Sequence, residues 1–349
     1  MHHHSFSIIV VTWNALHHLK RFLPSVAVTD YDSFEIIIAD NASEDGSAEW
    51  VKKSFPTFKV VTFDKNYGYA GGNNRAVKYA TGDILIFLNN DVRVEPNWLT
   101  HLNKSFKDEE ISIAQPKILN EMQPDHFEYA GAAGGYIDWL GYPFCRGRVF
   151  DAIEKDEGQY NNRTDIFWAS GAAFSIRKDL FIECCGFDED FEFHMEEIDL
   201  CWRCLRMGRK IKFEPKSVVY HLGGGSLAQN SPRKIYYNYR NSLLMLLKNL
   251  EKHVIPKLFL RLVLDGISGI RSLFTGNPAE TVAIIQSHFA FYKRLPKNIK
   301  KRKITSTNRL PENAKKLIFD KLIVSEFFIK RKRTYSELNQ NRFSDRLPE

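Results

Sequence analysis

Phe6-Ser-Ile-Ile-Val-Val-Thr12 is the stretch that decides the fold. It is β-branched and almost wholly apolar, without the polar alternation of a half-exposed strand. It therefore predicts a strand buried on both faces. Glu35-Ile-Ile-Ile-Ala-Asp40 repeats the pattern and ends on an acid. Lys59-Val-Val-Thr-Phe63 and Ile84-Leu-Ile-Phe-Leu88 follow, the last running into Asn89-Asn-Asp91. Helical stretches over residues 15–25, 43–55 and 70–80 separate them, with Asn14 placed to cap the first. Repeated β-α units of this length predict a mostly parallel sheet with right-handed crossovers. Ligands of such sheets bind outside the carboxyl ends of the strands, where Asp40 and Asp91 both fall.

Outward from this core the pattern changes. Residues 116–164 mix glycines with aromatics and predict loops and short strands facing a substrate. Residues 167–176 are strand-like, 196–207 helical, and 210–213 and 217–220 short strands; beyond about residue 232 only helical patterns remain.

Several residues could carry chemistry. Asp91, at the tip of a buried strand, suits a hard divalent cation, although Asn-Asn-Asp is also ordinary turn chemistry. Asp40 can cap the following loop or bind a base or ribose. In Asn66-Tyr-Gly-Tyr-Ala-Gly-Gly-Asn-Asn74, Gly68, Gly71 and Gly72 permit close backbone approach to a ligand, and a helix start there offers N–H groups to phosphate. The spacing is neither the dinucleotide fingerprint nor a P-loop. In His194-Met-Glu-Glu-Ile-Asp-Leu-Cys-Trp-Arg203, helical spacing puts Glu196, Asp199 and Arg203 on one face, able to pair. Glu197 points elsewhere and can serve as a general base. His221, before Gly223-Gly-Gly-Ser226, is a metal ligand or a hydrogen-bonded core histidine. Cys201 and Cys204 read as buried thiols on a helix, because no second pair completes a zinc site. The five cysteines, two of them adjacent, favour a reducing compartment.

The order of these motifs resembles the inverting glycosyltransferases of family 2, and more narrowly the bacterial rhamnosyltransferase-like members that build surface polysaccharides. The matching segments are Val10-Val-Thr-Trp-Asn14, Asp40-Asn-Ala-Ser43, Asn66 to Asn74, Leu88-Asn-Asn-Asp91, Trp168-Ala-Ser-Gly-Ala-Ala-Phe174, Glu196 to Arg203 and His221 to Ser226. The resemblance implies the GT-A fold: an α/β, Rossmann-like, mostly parallel sheet flanked by helices, with a C-terminal helical extension. It implies that Thr12 and Asn14 line the nucleotide pocket and that Asp40 contacts the base. Asn66, Gly68, Gly71 and Asn73 would close over the donor, with Asn90, Trp168 and Gly171 completing its site. Asp91 would be the metal-binding end of the family's D-x-D motif, here with Asn89 at its first position, so His221 and the diphosphate would complete the shell of Mn²⁺ or Mg²⁺. Glu197 would be the catalytic base, supported by Glu196, Asp199 and Arg203. The implied partners are a dTDP- or UDP-linked sugar, rhamnose first, and a glycan or lipid-linked glycan acceptor. Residues 116–164 and 223–245 would line the pocket. A nucleotidyltransferase of similar sheet is the rival enzyme, but Thr12-Trp-Asn14 stands where its basic glycine loop belongs. An inactive, membrane-associated glycan-binding scaffold is the other rival, against which Asp40, Asp91, Glu197 and His221 together count.

Composition sets the remaining bounds. The chain has 349 residues, 44% hydrophobic and 26% charged, which excludes wholesale disorder and fibrous repeats. Its net charge of +7 is unevenly placed, for basic residues cluster at Lys300-Lys-Arg-Lys303 and Lys330-Arg-Lys-Arg333. The expected organisation is a catalytic domain over residues 1–235, a helical amphipathic extension over 236–295 and a basic tail over 296–349. Lys257, Arg261 and Asp265 recur every four residues within the apolar stretch 254–274, which predicts an amphipathic helix packed on the body or lying on a membrane. No signal peptide or spanning helix is read. The expectation is a cytoplasmic protein, peripheral at the inner membrane face, with its C-terminal region on anionic lipid. No base-reading motif marks the basic tail, so nucleic acid is not an expected partner, while oligomers are left open.

Overall fold

The computed structural model describes residues 3–223, 231–305 and 308–343. Strands and helices alternate first: β1 (Phe6–Thr12), α1 (Leu16–Ala27), β2 (Phe34–Asp40), α2 (Ser47–Ser54), β3 (Lys59–Thr62), α3 (Gly68–Ala76) and β4 (Ile84–Leu88). The apolar runs of β1 and β4 are buried on both faces, as their composition requires. Next come β5 (Val92–Val94), α4 (Trp98–Phe106) and the long β6 (Ile111–Asn120). Short strands follow: β7 (Gly135–Asp138), β8 (Pro143–Cys145), β9 (Arg148–Val149), β10 (Ala152–Ile153) and β11 (Thr164–Asp165). The first half closes with β12 (Ala173–Arg177), α5 (Lys178–Glu183), α6 (Glu196–Arg206) and β13 (Lys210–His221). The remainder is α7 (Pro232–Asn249), α8 (Val254–Phe274), α9 (Pro278–Thr305), α10 (Glu312–Lys315) and β14 (Ile318–Phe319).

The main sheet runs β11-β13-β6-β12-β4-β1-β2-β3, with β5 on β13. Its β4-β1-β2-β3 half is parallel, as expected. Beyond β4 it is mixed: β12 enters antiparallel to both β4 and β6. Residues 167–172 are not strand, so the expected strand over 167–176 is shorter. A second sheet, β10-β9-β8-β7-β14, is built from the irregular segment and from the end of the chain.

That second sheet corrects the expected domain plan. The tail is docked, not loose: β14 pairs in parallel with β7, and Phe319, Ile323 and Phe327 are buried in the main core. Asp138 ties the two segments, accepting from Leu140 and Tyr142 with one oxygen and from the Ile323 N–H with the other. The boundaries at 235/236 and 295/296 fall inside α7 and α9. The apolar residues of the basic tail anchor it, and several of its charges are bonded inward. Lys301 reaches Asp190, and Arg302 donates to the Leu247 carbonyl. Lys330 and Lys332 share Glu326. Gly224, Gly225 and part of the expected 223–245 wall lie outside the described residues.

Candidate active site

The carboxyl ends of β1, β2 and β4 meet in one place. Thr12 sits opposite Asp40 in the parallel register, and the Asn90 amide reaches the Thr12 hydroxyl at 3.4 Å. Asp40 is buried; one carboxylate oxygen accepts from the Ser43 N–H, and the other is enclosed without a protein partner. An enclosed acceptor without a donor is costly unless a ligand supplies one. Asn14 does not cap α1. Its backbone is left-handed at φ +49°, which turns the amide oxygen to the Glu44 N–H at 2.8 Å. The cap comes instead from Asp45, which accepts from the Leu16 N–H at 2.8 Å.

The glycine segment folds over this end of the sheet. Asn66 accepts from the Gly68 N–H, Gly68 has φ +68°, and α3 begins there, two residues earlier than predicted. Gly71 and Gly72 are fixed by packing: a Cβ at either would lie 3.0 Å from the nearest side chain, Tyr67 or Asn41. Asn41 in turn donates to the Gly68 carbonyl. Asn73 is buried and donates to the Tyr69 carbonyl. The Tyr69 hydroxyl donates to the Gly171 carbonyl at 2.8 Å, which joins the loop to the segment before β12. Trp168 is placed differently from the expectation. Its indole N–H donates to the Tyr136 carbonyl, and its ring lies so close to Gly135 that a Cβ there would be 2.1 Å away. It is a core residue at the junction of the sheets, drawn inward by its large apolar ring.

Asp91 and His221 come together from the ends of β4 and β13. His221 Nε2 lies 3.1 Å from Asp91, and its Nδ1 lies 3.2 Å from Glu128 without hydrogen-bond alignment. Burial would lower the imidazole's pKa, but Glu128 and Asp91 outweigh it and hold the ring protonated well above its usual range. Burial likewise raises Asp91, and His221 more than reverses this. Glu128 was invisible to the sequence reading because it lies in the irregular segment, far along the chain. One carboxylate and one imidazole are a donor set of the kind Mn²⁺ accepts, the cation replacing the shared proton. Among the described residues, no group of three or more His, Cys, Asp or Glu is disposed to hold a metal ion. Asp91 and His221 alone would leave most of a divalent cation's coordination positions to other ligands.

The acid pair opens α6. Asp199 and Arg203 pair as predicted, at 2.9 Å. Glu196 does not join them: it is buried, and one of its oxygens has no partner. Burial, then the Glu197 charge, keeps Glu196 protonated well above the usual range. Burial also lifts Glu197, to about 7, against backbone N–H groups at the helix start that lower it. A carboxylate poised near neutrality, beside a protonated neighbour, is a fitting proton acceptor. The Tyr69 hydroxyl is pushed up mainly by burial and further by Glu196 and Glu197, which puts the acid pair within electrostatic reach of the glycine segment.

The turn before α6 is strained and held. Glu192, His194 and Met195 all have positive φ. The Asn241 amide of α7 donates to the carbonyls of Phe191, Phe193 and His194 at 2.7, 2.6 and 2.9 Å. Arg240 grips the Phe191 carbonyl and Glu192. Lys248 and Asn249 bond Asp199 at 2.8 and 2.7 Å. None of these partners carries a sequence signal, since they meet only when α7 packs on α6. All five cysteines are free, with Cys201 and Cys204 buried, as read.

A sequence model described as glycosyl transferase family 2 matches residues 7–183. The O-antigen biosynthesis protein RfbC of Myxococcus xanthus is 27% identical over 224 residues, which are 61% of this chain but 17% of that protein. The N-acetylglucosaminyl-diphospho-decaprenol L-rhamnosyltransferase of Mycobacterium tuberculosis is 23% identical over 257 residues, 68% of this chain and 83% of that one. Among solved structures, GalNAc-T7 with UDP, GalNAc and Mn²⁺ superposes with a TM-score of 0.55 at 18% identity, covering 88% of this chain and 58% of the other. That likeness is one of fold, the mixed α/β architecture of GT-A glycosyltransferases.

Proposed function

The chain belongs to glycosyl transferase family 2, and on that premise we propose a metal-dependent inverting glycosyltransferase acting in surface polysaccharide synthesis. The donor is a dTDP- or UDP-linked sugar, with a rhamnose-like sugar as first candidate from the relatives' names. The acceptor is a hydroxyl of a glycan or lipid-linked glycan. The observation that carries the reading is the Glu197 carboxyl, lifted to about 7 at the start of α6 and set beside the glycine segment.

Each part of the site has a task. Asp40 accepts from the nucleotide with its unpartnered oxygen, and Thr12, Asn14 and Asn90 shape the pocket around it. Asn66, Gly68, Gly71 and Asn73 form the covering segment, with Gly171 behind it. Asp91 and His221 would hold Mn²⁺ or Mg²⁺, which would neutralise the departing diphosphate. Glu197 takes the proton of the acceptor hydroxyl as it attacks the anomeric carbon opposite the leaving group. Protonated Glu196 cannot compete for that proton, and the Asp199–Arg203 pair fixes the helix. The setting is the cytoplasmic face of a membrane that presents the acceptor; among the described residues, no helix is long and apolar enough to cross one.

A nucleotide-sugar panel read by thermal shift, with and without Mn²⁺, tests the donor reading. One dTDP- or UDP-sugar should raise Tm only with metal. A panel in which nucleotides without sugar, or nucleoside triphosphates, stabilise best would favour the nucleotidyltransferase.

A further inference from the structure

Helix α8 is amphipathic in the reverse of the usual sense. Its polar residues face the protein: Arg261 and Asp265 are buried, paired at 3.2 Å, with the Arg261 guanidinium 3.4 Å from the Tyr142 ring centre and bonded to the Ser242 hydroxyl. Ser268 meets Tyr239 of α7, and Ser272 is buried. The apolar residues face outward. Ile255 is 81% exposed, Phe259 68%, Ile267 57% and Phe274 88%. The adjoining α9 continues the surface with Val282, Ile285 and Phe289, the last 70% exposed. Such a contiguous apolar face on water is unfavourable and marks an interaction surface.

The charges decide what covers it. The two acidic residues of α8 and α9 are turned away: Asp265 is buried between Arg261 and His288, and Glu280 accepts from Ser272. The exposed charged side chains along the described parts of the two helices, Arg271, Lys293, Lys297, Lys300 and Lys303, are all basic. A second copy of the chain would bring the same positive charge against its own. An anionic bilayer brings the complementary one, and an in-plane helix buries an apolar face of this kind at the level of the headgroups. We propose that the outer face of α8 and α9 lies on an anionic lipid surface. Helix α7 lies between α8 and the held turn at Glu192–Met195, through Tyr239 on one side and Asn241 on the other. The surface is therefore one helix layer from the acid pair. In that placement the inference rests on the proposed reading of a lipid-linked acceptor.

Co-sedimentation of the full chain with phosphatidylcholine vesicles, with and without phosphatidylglycerol, tests the surface. The wild type should bind only the anionic vesicles. Replacing Phe259 and Ile267 by Glu should weaken partition on the order of a hundredfold, from the transfer free energy of two large apolar side chains. Tm should be unchanged, because both residues are solvent-facing. If that pair disturbs folding, Val282→Glu with Phe289→Glu on α9 must give the same loss. No binding by the wild type, or binding untouched by either pair, overturns the proposal. So does a wild-type dimer in light scattering that the variants dissolve without any vesicle binding. Vesicle binding needs no turnover, so its failure leaves the donor chemistry standing, and a failed donor screen leaves this surface standing.

Discussion

Replacing Glu197 by Gln should make the protein more stable while abolishing its activity. Burial pushes the carboxyl up to about 7 in the folded chain, from about 4.5 when exposed to water. At about 1.4 kcal/mol for each tenfold change in proton affinity, that difference corresponds to about 3 kcal/mol. The sign follows from which state ionises first. Below pH 4.5 both the folded and unfolded chains hold the proton, and this group adds no penalty. As pH rises towards 7 the unfolded chain ionises first and is favoured, so wild-type stability falls. Above 7 both states are ionised and the loss is complete. Gln keeps the shape and cannot ionise. Urea melts at pH 4.5 and pH 8 should show the Gln variant's advantage growing by about 3 kcal/mol between them. Initial-rate assays of the wild type should show transfer rising with pH through about 7, as the base loses its proton, and the variant should lose about 10²–10⁴-fold in kcat. A variant no more stabilised at pH 8 than at pH 4.5 would refute the burial argument. Wild-type turnover in that variant would remove Glu197 from the proton transfer.

Other perturbations probe the rest of the site. Asp91→Asn should weaken Mn²⁺-dependent nucleotide binding by calorimetry and leave metal-independent binding unchanged; an unaltered metal titration removes Asp91 from the shell. Asn241→Ala leaves buried carbonyls of the strained turn without a donor. It should cost about 2 kcal/mol in urea melts and lower kcat with little change in KM. Lys248→Met leaves Asp188 and Asp199 buried beside fewer cations, so a loss of about 3–5 kcal/mol is expected. Phe319→Ala empties a fully buried site under β14 and should cost about 3–5 kcal/mol.

What the sequence disclosed was local. The strands ending at Thr12, Asp40 and Leu88 were legible because continuous apolar runs have few other readings. The Asp199–Arg203 pair was legible because helical spacing alone sets it. Whatever depends on distant contacts was hidden. Glu128 reaches His221 across a segment without periodicity, and Asn241 meets three carbonyls about fifty residues away in the chain. Trp168 sat in a matching motif, yet its ring turned to the neighbouring sheet. For α8, periodicity gave two faces but not which one pointed inward; that was fixed by Tyr142, Tyr239 and Ser242, which accept its polar side. The tail misled through its charge, since net charge says nothing of whether Phe319 finds a core.

The pairing of β14 with β7 has a consequence for synthesis. Ile318 meets Ile137, roughly 180 residues earlier in the chain. At about 5–20 residues per second, a ribosome needs about 10–35 s to supply the missing strand. Through that interval the edge of β7 stays open, and Tyr136 and Phe144 wait without the aromatic rings of Tyr335 and Phe343 that later pack on them. The nascent chain must be shielded or kept dilute for as long as translation lasts. Slowing elongation over the last third should lower the yield of folded protein, although not one contact of the finished molecule has changed.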